Sequence, residues 1–108
     1  MVCSNEPGYY EDGSFGVRIE NLVVVEERDT PFRYAGQQYM GFRRLTLVPI
    51  QAKMVDASLL SPSELAWLDG YHEEVWREVA PRLQEHPALL EWLRANTRPL
   101  AEQLAARA

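Results

Sequence analysis

The chain has 108 residues, which suits one domain or part of one. Hydrophobic residues make up 46%, enough for a modest core, and charged residues 25%, an ordinary globular share that argues against disorder. The formal net charge is -5 without any basic run, so nucleic acid and anionic membrane are not expected partners.

The opening MVCS predicts a short buried strand. Cys3, the single cysteine, is read there as a buried thiol rather than a nucleophile. One cysteine permits no internal disulfide and fits a reducing compartment. MVCSNEP has no charged stretch followed by an apolar one, so no signal peptide is expected. The longest aliphatic run, LVVV, is far too short to span a bilayer. A cytoplasmic location is the resulting expectation.

EPGYYEDGSFG reads as a loop punctuated by Pro-Gly and Asp-Gly, and VRIENLVVVEE as a second strand forming a hairpin-like unit with the first. Alternation along that strand groups Arg18, Glu20, Leu22 and Val24 on one face. Val17, Ile19, Asn21, Val23 and Val25 share the other, which reads as core. A cation and an anion on a strand buried on both faces need partners or a metal.

After the polar turn RDTPFRYAGQQ, the residues Tyr39, Phe42, Leu45, Leu47 and Ile50 predict further strand, with Pro49 confining its end to an edge or an exit. Arg43 and Arg44 would face opposite ways, as a solvated pair. From about residue 60 the chain reads as helix. Ser61 is the N-cap, Pro62 the first helical residue and Glu64 the closing member of a capping box. Leu65, Leu68, Tyr71, Val75, Val79 and Leu83 recur at helical spacing, and Pro81 should end the helix near Ala80. Further helices are expected in PALLEWLRANT and PLAEQLAARA. Trp67, Trp76 and Trp92 read mainly as packing against the sheet, with a helical dimer contact as the other reading. His72 and His86 read as surface or capping residues, since neither belongs to an HExxH or Cys/His motif. No GxSxG, P-loop or GxGxxG is present, so serine catalysis and nucleotide binding have no support.

Glu6 and Glu20 lie at the end of one predicted strand and inside the next, so a paired hairpin could bring them face to face. Carboxylates drawn from different segments can share a metal ion, which cancels their repulsion. Alternatively, Glu6 is a loop acid and Glu20 pairs with Arg18 on a strand surface. Spacing alone leaves both readings open.

SNEPGYYEDGSFGVRIENLVVV resembles the end of the catalytic domain of the Xaa-Pro aminopeptidases (aminopeptidase P), metallopeptidases of family M24 with the pita-bread fold. LTLVPIQAKMVD, LSPSELAWLDGYHEEVW and ALLEWLRANTRPL resemble the C-terminal extension of the longer members. The resemblance implies an α+β fold, with the last strands of the catalytic sheet at residues 1–44 and a mainly helical extension at 45–108. It implies release of the N-terminal residue from peptides with proline second, at two divalent ions, usually manganese. It places Glu6 and Glu20 among five ligands, Glu6 also handling the proton of the attacking water and Glu20 bridging the ions. Arg18 would support that shell. The two aspartates and the histidine of the ligand set belong upstream of the matched stretch. The chain is therefore expected to be a C-terminal fragment, inactive alone, and to dimerise or self-associate. A non-catalytic interaction or dimerisation module derived from the family is the alternative.

Overall fold

The structure, a computed structural model, describes residues 1–107. The chain divides into an N-terminal unit, Met1–Thr46, and a C-terminal unit from Leu47 on. The architecture is α+β, as expected, and among the described residues no helix is long and apolar enough to cross a membrane.

The N-terminal unit holds β1 (Val2–Asn5), β2 (Gly8–Glu11), β3 (Phe15–Arg18), β4 (Asn21–Arg28) and β5 (Tyr39–Arg44). A three-stranded antiparallel sheet runs β1-β4-β5, with the Val-rich β4 in the centre, and β2 and β3 form a separate antiparallel pair. Two sequence expectations change here. The segment read as loop contains β2 and the start of β3, closed by Asp12-Gly13-Ser14. Gly13 takes the left-handed backbone (φ 69°) there, and the Ser14 N–H donates to the Glu11 carbonyl at 3.0 Å. The strand read as continuous from Val17 is interrupted at Ile19 and Glu20. Opposite Ile19 stands Pro7, which has no N–H to give. The ladder keeps only the Ile19 N–H to the Pro7 carbonyl at 3.1 Å.

The expected burial of this unit is also corrected. Among the described residues none of Met1–Thr46 is buried; Val2, Val17 and Ile19 are exposed, and Cys3 is half-buried. Cross-strand hydrogen bonds and exposed ion pairs hold it instead. Glu26 meets Arg28 at 2.8 Å and Arg43 at 3.0 Å, so Arg43 is paired rather than merely solvated.

The C-terminal unit contains α1 (Pro62–Val79), α2 (Pro87–Thr97) and α3 (Leu100–Ala105). Helix α1 starts as the sequence predicts. Ser61 Oγ accepts from the Glu64 N–H, and the Glu64 carboxylate accepts from the Ser61 N–H at 2.8 Å, with Pro62 in the first turn. Pro81 turns the exit of α1 into a 3-10 turn at Ala80–Leu83. Two clusters form the core: Tyr71, Val75, Ala80 and Leu93, and Ala52, Leu68 and Leu100.

Three readings of this unit need correction. Trp67 and Trp92 are exposed, and only Trp76 lies half-buried against the core. The strand expected to run on to Ile50 stops at Arg44. His72 is fully buried, because its place four residues after Leu68 and three before Val75 sets it on the apolar face of α1. His86 is exposed, as expected, but its side chain makes no cap.

Candidate metal centre

The strand pairing fixes how Glu6 and Glu20 face one another. From Val2 opposite Val24 to Asn5 opposite Asn21, each step forward along one strand is a step back along the other. The same register resumes at Gly8 opposite Arg18 and runs to Glu11 opposite Phe15. No residue is gained or lost between, so Pro7 falls opposite Ile19 and Glu6 opposite Glu20. The bonds from Ile19 to Pro7 and from Val25 to Met1 mark odd-numbered positions as hydrogen-bonded pairs. Glu6 and Glu20 are thus in a non-hydrogen-bonded position, the narrower of the two kinds, with Cα atoms about 4.5 Å apart in regular sheet. Two carboxylates facing each other there repel, so the position favours a cation.

One cation is supplied by Arg18. In this register Glu6, Gly8, Tyr10, Gly16, Arg18 and Glu20 alternate onto one face. The Tyr10 ring lies flat across that face. A Cβ on Gly16 would come within 2.7 Å of ring atom Cδ1, and one on Gly8 within 2.6 Å of the Tyr10 hydroxyl and 2.8 Å of the Val17 carbonyl. The two glycines are therefore the space the ring occupies. The hydroxyl so placed accepts a hydrogen bond from Arg18 Nε at 2.8 Å, and the guanidinium carbon stands 5.8 Å from the ring centre. The Arg18 pKa is raised, first by Tyr10 and then by the charges of Glu6 and Glu20, so both glutamates lie within electrostatic reach of one guanidinium. Ser4 Oγ donates to Glu6 Oε2 at 3.0 Å and orients that carboxylate.

The sequence reading missed Tyr10. Its signal was available in the spacing: Gly8 and Gly16 flank it on the same strand face, and glycine inside strands marks close approach. The opposite face of the β2–β3 pair carries Tyr9, Glu11, Phe15 and Val17, with Tyr9 against Phe15 at 6.0 Å between ring centres. The Tyr9 pKa is raised by the hydrogen bond its hydroxyl donates to Glu11.

Hard carboxylate oxygens suit a divalent cation such as manganese or magnesium, and Glu6 and Glu20 fit that chemistry. Among the described residues no group of three or more His, Cys, Asp or Glu could hold an ion, so the pair is an incomplete donor set. Within the C-terminal unit His72 is enclosed in the helical core, and His86 is exposed.

Residues 38–100 match the family described as the C-terminal region of peptidase M24. Aminopeptidase P2 of Arabidopsis thaliana is 57% identical over 102 residues, 94% of this chain and 14% of the plant protein. A probable Xaa-Pro aminopeptidase P of Coprinopsis cinerea is 50% identical over 93% of the chain and 16% of its own length. Among solved structures, X-prolyl aminopeptidase from Caenorhabditis elegans, described as a cytosolic enzyme with a di-nuclear active site, superposes with a TM-score of 0.77. It is 39% identical and is matched over 91% of this chain and 16% of that one. The chain thus spans about one sixth of the length of these relatives. The chain belongs to the peptidase M24 C-terminal-region family, and it is similar to the C-terminal part of Xaa-Pro aminopeptidases.

Proposed function

We propose that the chain is the C-terminal part of a dinuclear-metal Xaa-Pro aminopeptidase, which removes the N-terminal residue from peptides with proline second. The observation that carries this reading is the opposed Glu6–Glu20 pair, in register across the ribbon with Arg18 held beside it by Tyr10. Both carboxylates are metal ligands in this reading, and Glu6 also takes the proton of the attacking water. Arg18, fixed by the Tyr10 hydroxyl, holds the two anions in place when substrate and products exchange. Bound divalent ions, manganese in this proposal, supply Lewis-acid activation of water and of the scissile carbonyl. Residues 1–44 are the last strands of the catalytic domain and 45–108 its extension. The working protein is cytoplasmic, and it dimerises or self-associates through surfaces such as the exposed Trp67 and Trp92.

The test is a chimera in which this chain replaces the matched 102 residues of the Arabidopsis protein. With manganese the chimera should hydrolyse Xaa-Pro peptides, and Glu20→Gln should lower that rate by at least about a hundredfold, the scale of a lost oriented charge at a reacting centre. The chain alone should show no activity and no tight manganese binding by calorimetry. A folded chimera in which Glu20→Gln changes nothing would refute the ligand role. Tight binding by the chain alone, abolished by the Glu6→Gln and Glu20→Gln double substitution, would refute the incompleteness of the site. Sedimentation as a compact monomer at micromolar concentration would remove the self-association claim.

A further inference from the structure

Val48 and Ile50 form an unusual clasp with two consecutive side chains of α1. Segment 47–51 is not part of a sheet, so its backbone groups need partners elsewhere. The Tyr71 hydroxyl donates to the Val48 carbonyl at 2.8 Å and accepts from the Val48 N–H at 3.3 Å. His72 Nε2 accepts from the Ile50 N–H at 3.1 Å. Alternate residues of the segment therefore present their polar groups to the helix, and the Tyr-His pair stands in for a neighbouring strand. Pro49, between them, has no N–H to satisfy. The clasp also seats Leu47 and Ile50 against the helical core.

An N–H arriving at Nε2 requires a lone pair on that nitrogen, so the ring proton sits on Nδ1. We propose that His72 is a proton-sensitive latch: protonation at Nε2 releases Ile50 and loosens segment 47–51 from the helical unit. The physical reason is that a proton there sets two N–H donors against each other and places a cation in a fully buried position. The surroundings name the opposing forces. From α1, Asp69 is the charged group acting on the ring, and it favours the cation. From the stretch leading into α3 comes the Arg98 carbonyl, a hydrogen-bond partner of the ring, and from α3 itself the Gln103 amide, 3.5 Å from Nδ1. Segment 47–51 contributes the Ile50 N–H. Burial outweighs Asp69 and the carbonyl, and the His72 pKa is lowered. A lowered histidine pKa means that the closed latch is fully favoured above the ordinary value of about 6.5. That preference is lost as the pH falls through the folded value.

The test follows the Ile50 amide and the His72 ring signals of the whole chain by NMR between pH 8 and pH 4.5. Protection of the Ile50 amide should fall as the His72 ring titrates, by about tenfold per pH unit between the titration points of closed and open states. Val75 and Leu93 amides should stay protected, marking the change as local. His72→Gln, whose side-chain oxygen can accept from Ile50 without titrating, should remove the response. An Ile50 amide indifferent to the ring's titration overturns the latch, as does an equal acid response in His72→Gln. Simultaneous loss of Val75 and Leu93 protection overturns it too, because that is global unfolding. If His72→Gln does not fold, coincidence of ring and amide midpoints in the unsubstituted chain decides the matter.

Discussion

The two units reach order by opposite means. The C-terminal unit buries Tyr71, His72, Val75 and Leu100 almost completely and satisfies their polar groups with side-chain bonds to the segment and the helices. Among the described residues the N-terminal unit buries nothing, and its shape comes from ladder hydrogen bonds, a left-handed glycine turn and surface ion pairs. Packing therefore decides what a substitution costs in the C-terminal unit, and backbone register decides it in the N-terminal unit. A carboxylate pair can be aimed by register alone, because strand pairing sets which residues face each other before any core exists.

The largest effect should come from the helical core. Leu93→Ala removes a side chain only 3% exposed that packs with Tyr71, Val75 and Ala80, and should cost about 2–5 kcal/mol. All three tryptophans lie in α1 and α2, so denaturation followed by tryptophan fluorescence reads this unit alone. Val25→Ala, on the half-buried centre of β4, should leave that signal unchanged. If both substitutions moved it equally, the contrast between the units would be wrong.

A smaller effect, and a different kind, is expected on the ribbon. Gly16→Ala drives a Cβ toward the Tyr10 ring, which in a packed core would cost about 1–3 kcal/mol. The Tyr10 ring is exposed and can swing into water, so stability should change by less than about 1 kcal/mol. The loss should appear instead as release of Arg18, seen in its Nε–H resonance, and as lower activity of the chimera. Unchanged Arg18 signals would show that the glycine is not the seat of the ring.

What was legible in the sequence follows the same division. The start of α1 was readable because Ser61, Pro62 and Glu64 act within one turn and need nothing distant. The break at Pro81 was readable for the same reason. Strand β2 was not, since GYYE between Pro-Gly and Asp-Gly has turn composition and becomes a strand only through its pairing with FGVR. The burial of His72 is missed when the residue is judged only by its belonging to no HExxH or Cys/His motif. Its spacing from Leu68 and Val75 carried the contrary signal. Facing of Glu6 and Glu20 could be suspected from the hairpin, but the uninterrupted register that sets them opposite needed the strands themselves. The remaining donors of a complete metal set could not be read from the two glutamates, because ligands converge from segments far apart in sequence.

The smallest effect, a change of the helix cap's contribution with pH, sharpens the comparison most, because it separates local order from packing within the C-terminal unit. Ser61→Ala removes the acceptor for the Glu64 N–H, leaving the Glu64 carboxylate with the Ser61 N–H alone. The Glu64 pKa is lowered, first by its hydrogen bond from the Ser61 N–H and then by the Ser61 side chain. Loss of the cap should cost about 1 kcal/mol. Because Ser61 and Glu64 are exposed, that cost comes from helix ends alone and adds no cavity. The carboxylate's contribution is present above its unfolded pKa and is lost as the pH falls through the lower folded value. The stability gap between Ser61→Ala and the unsubstituted chain should therefore shrink in acid, measured by thermal unfolding at pH 7 and at pH 3. A gap that stays constant would mean that the serine side chain caps α1 independently of the charge of Glu64, which then acts through the backbone N–H of residue 61 in both proteins.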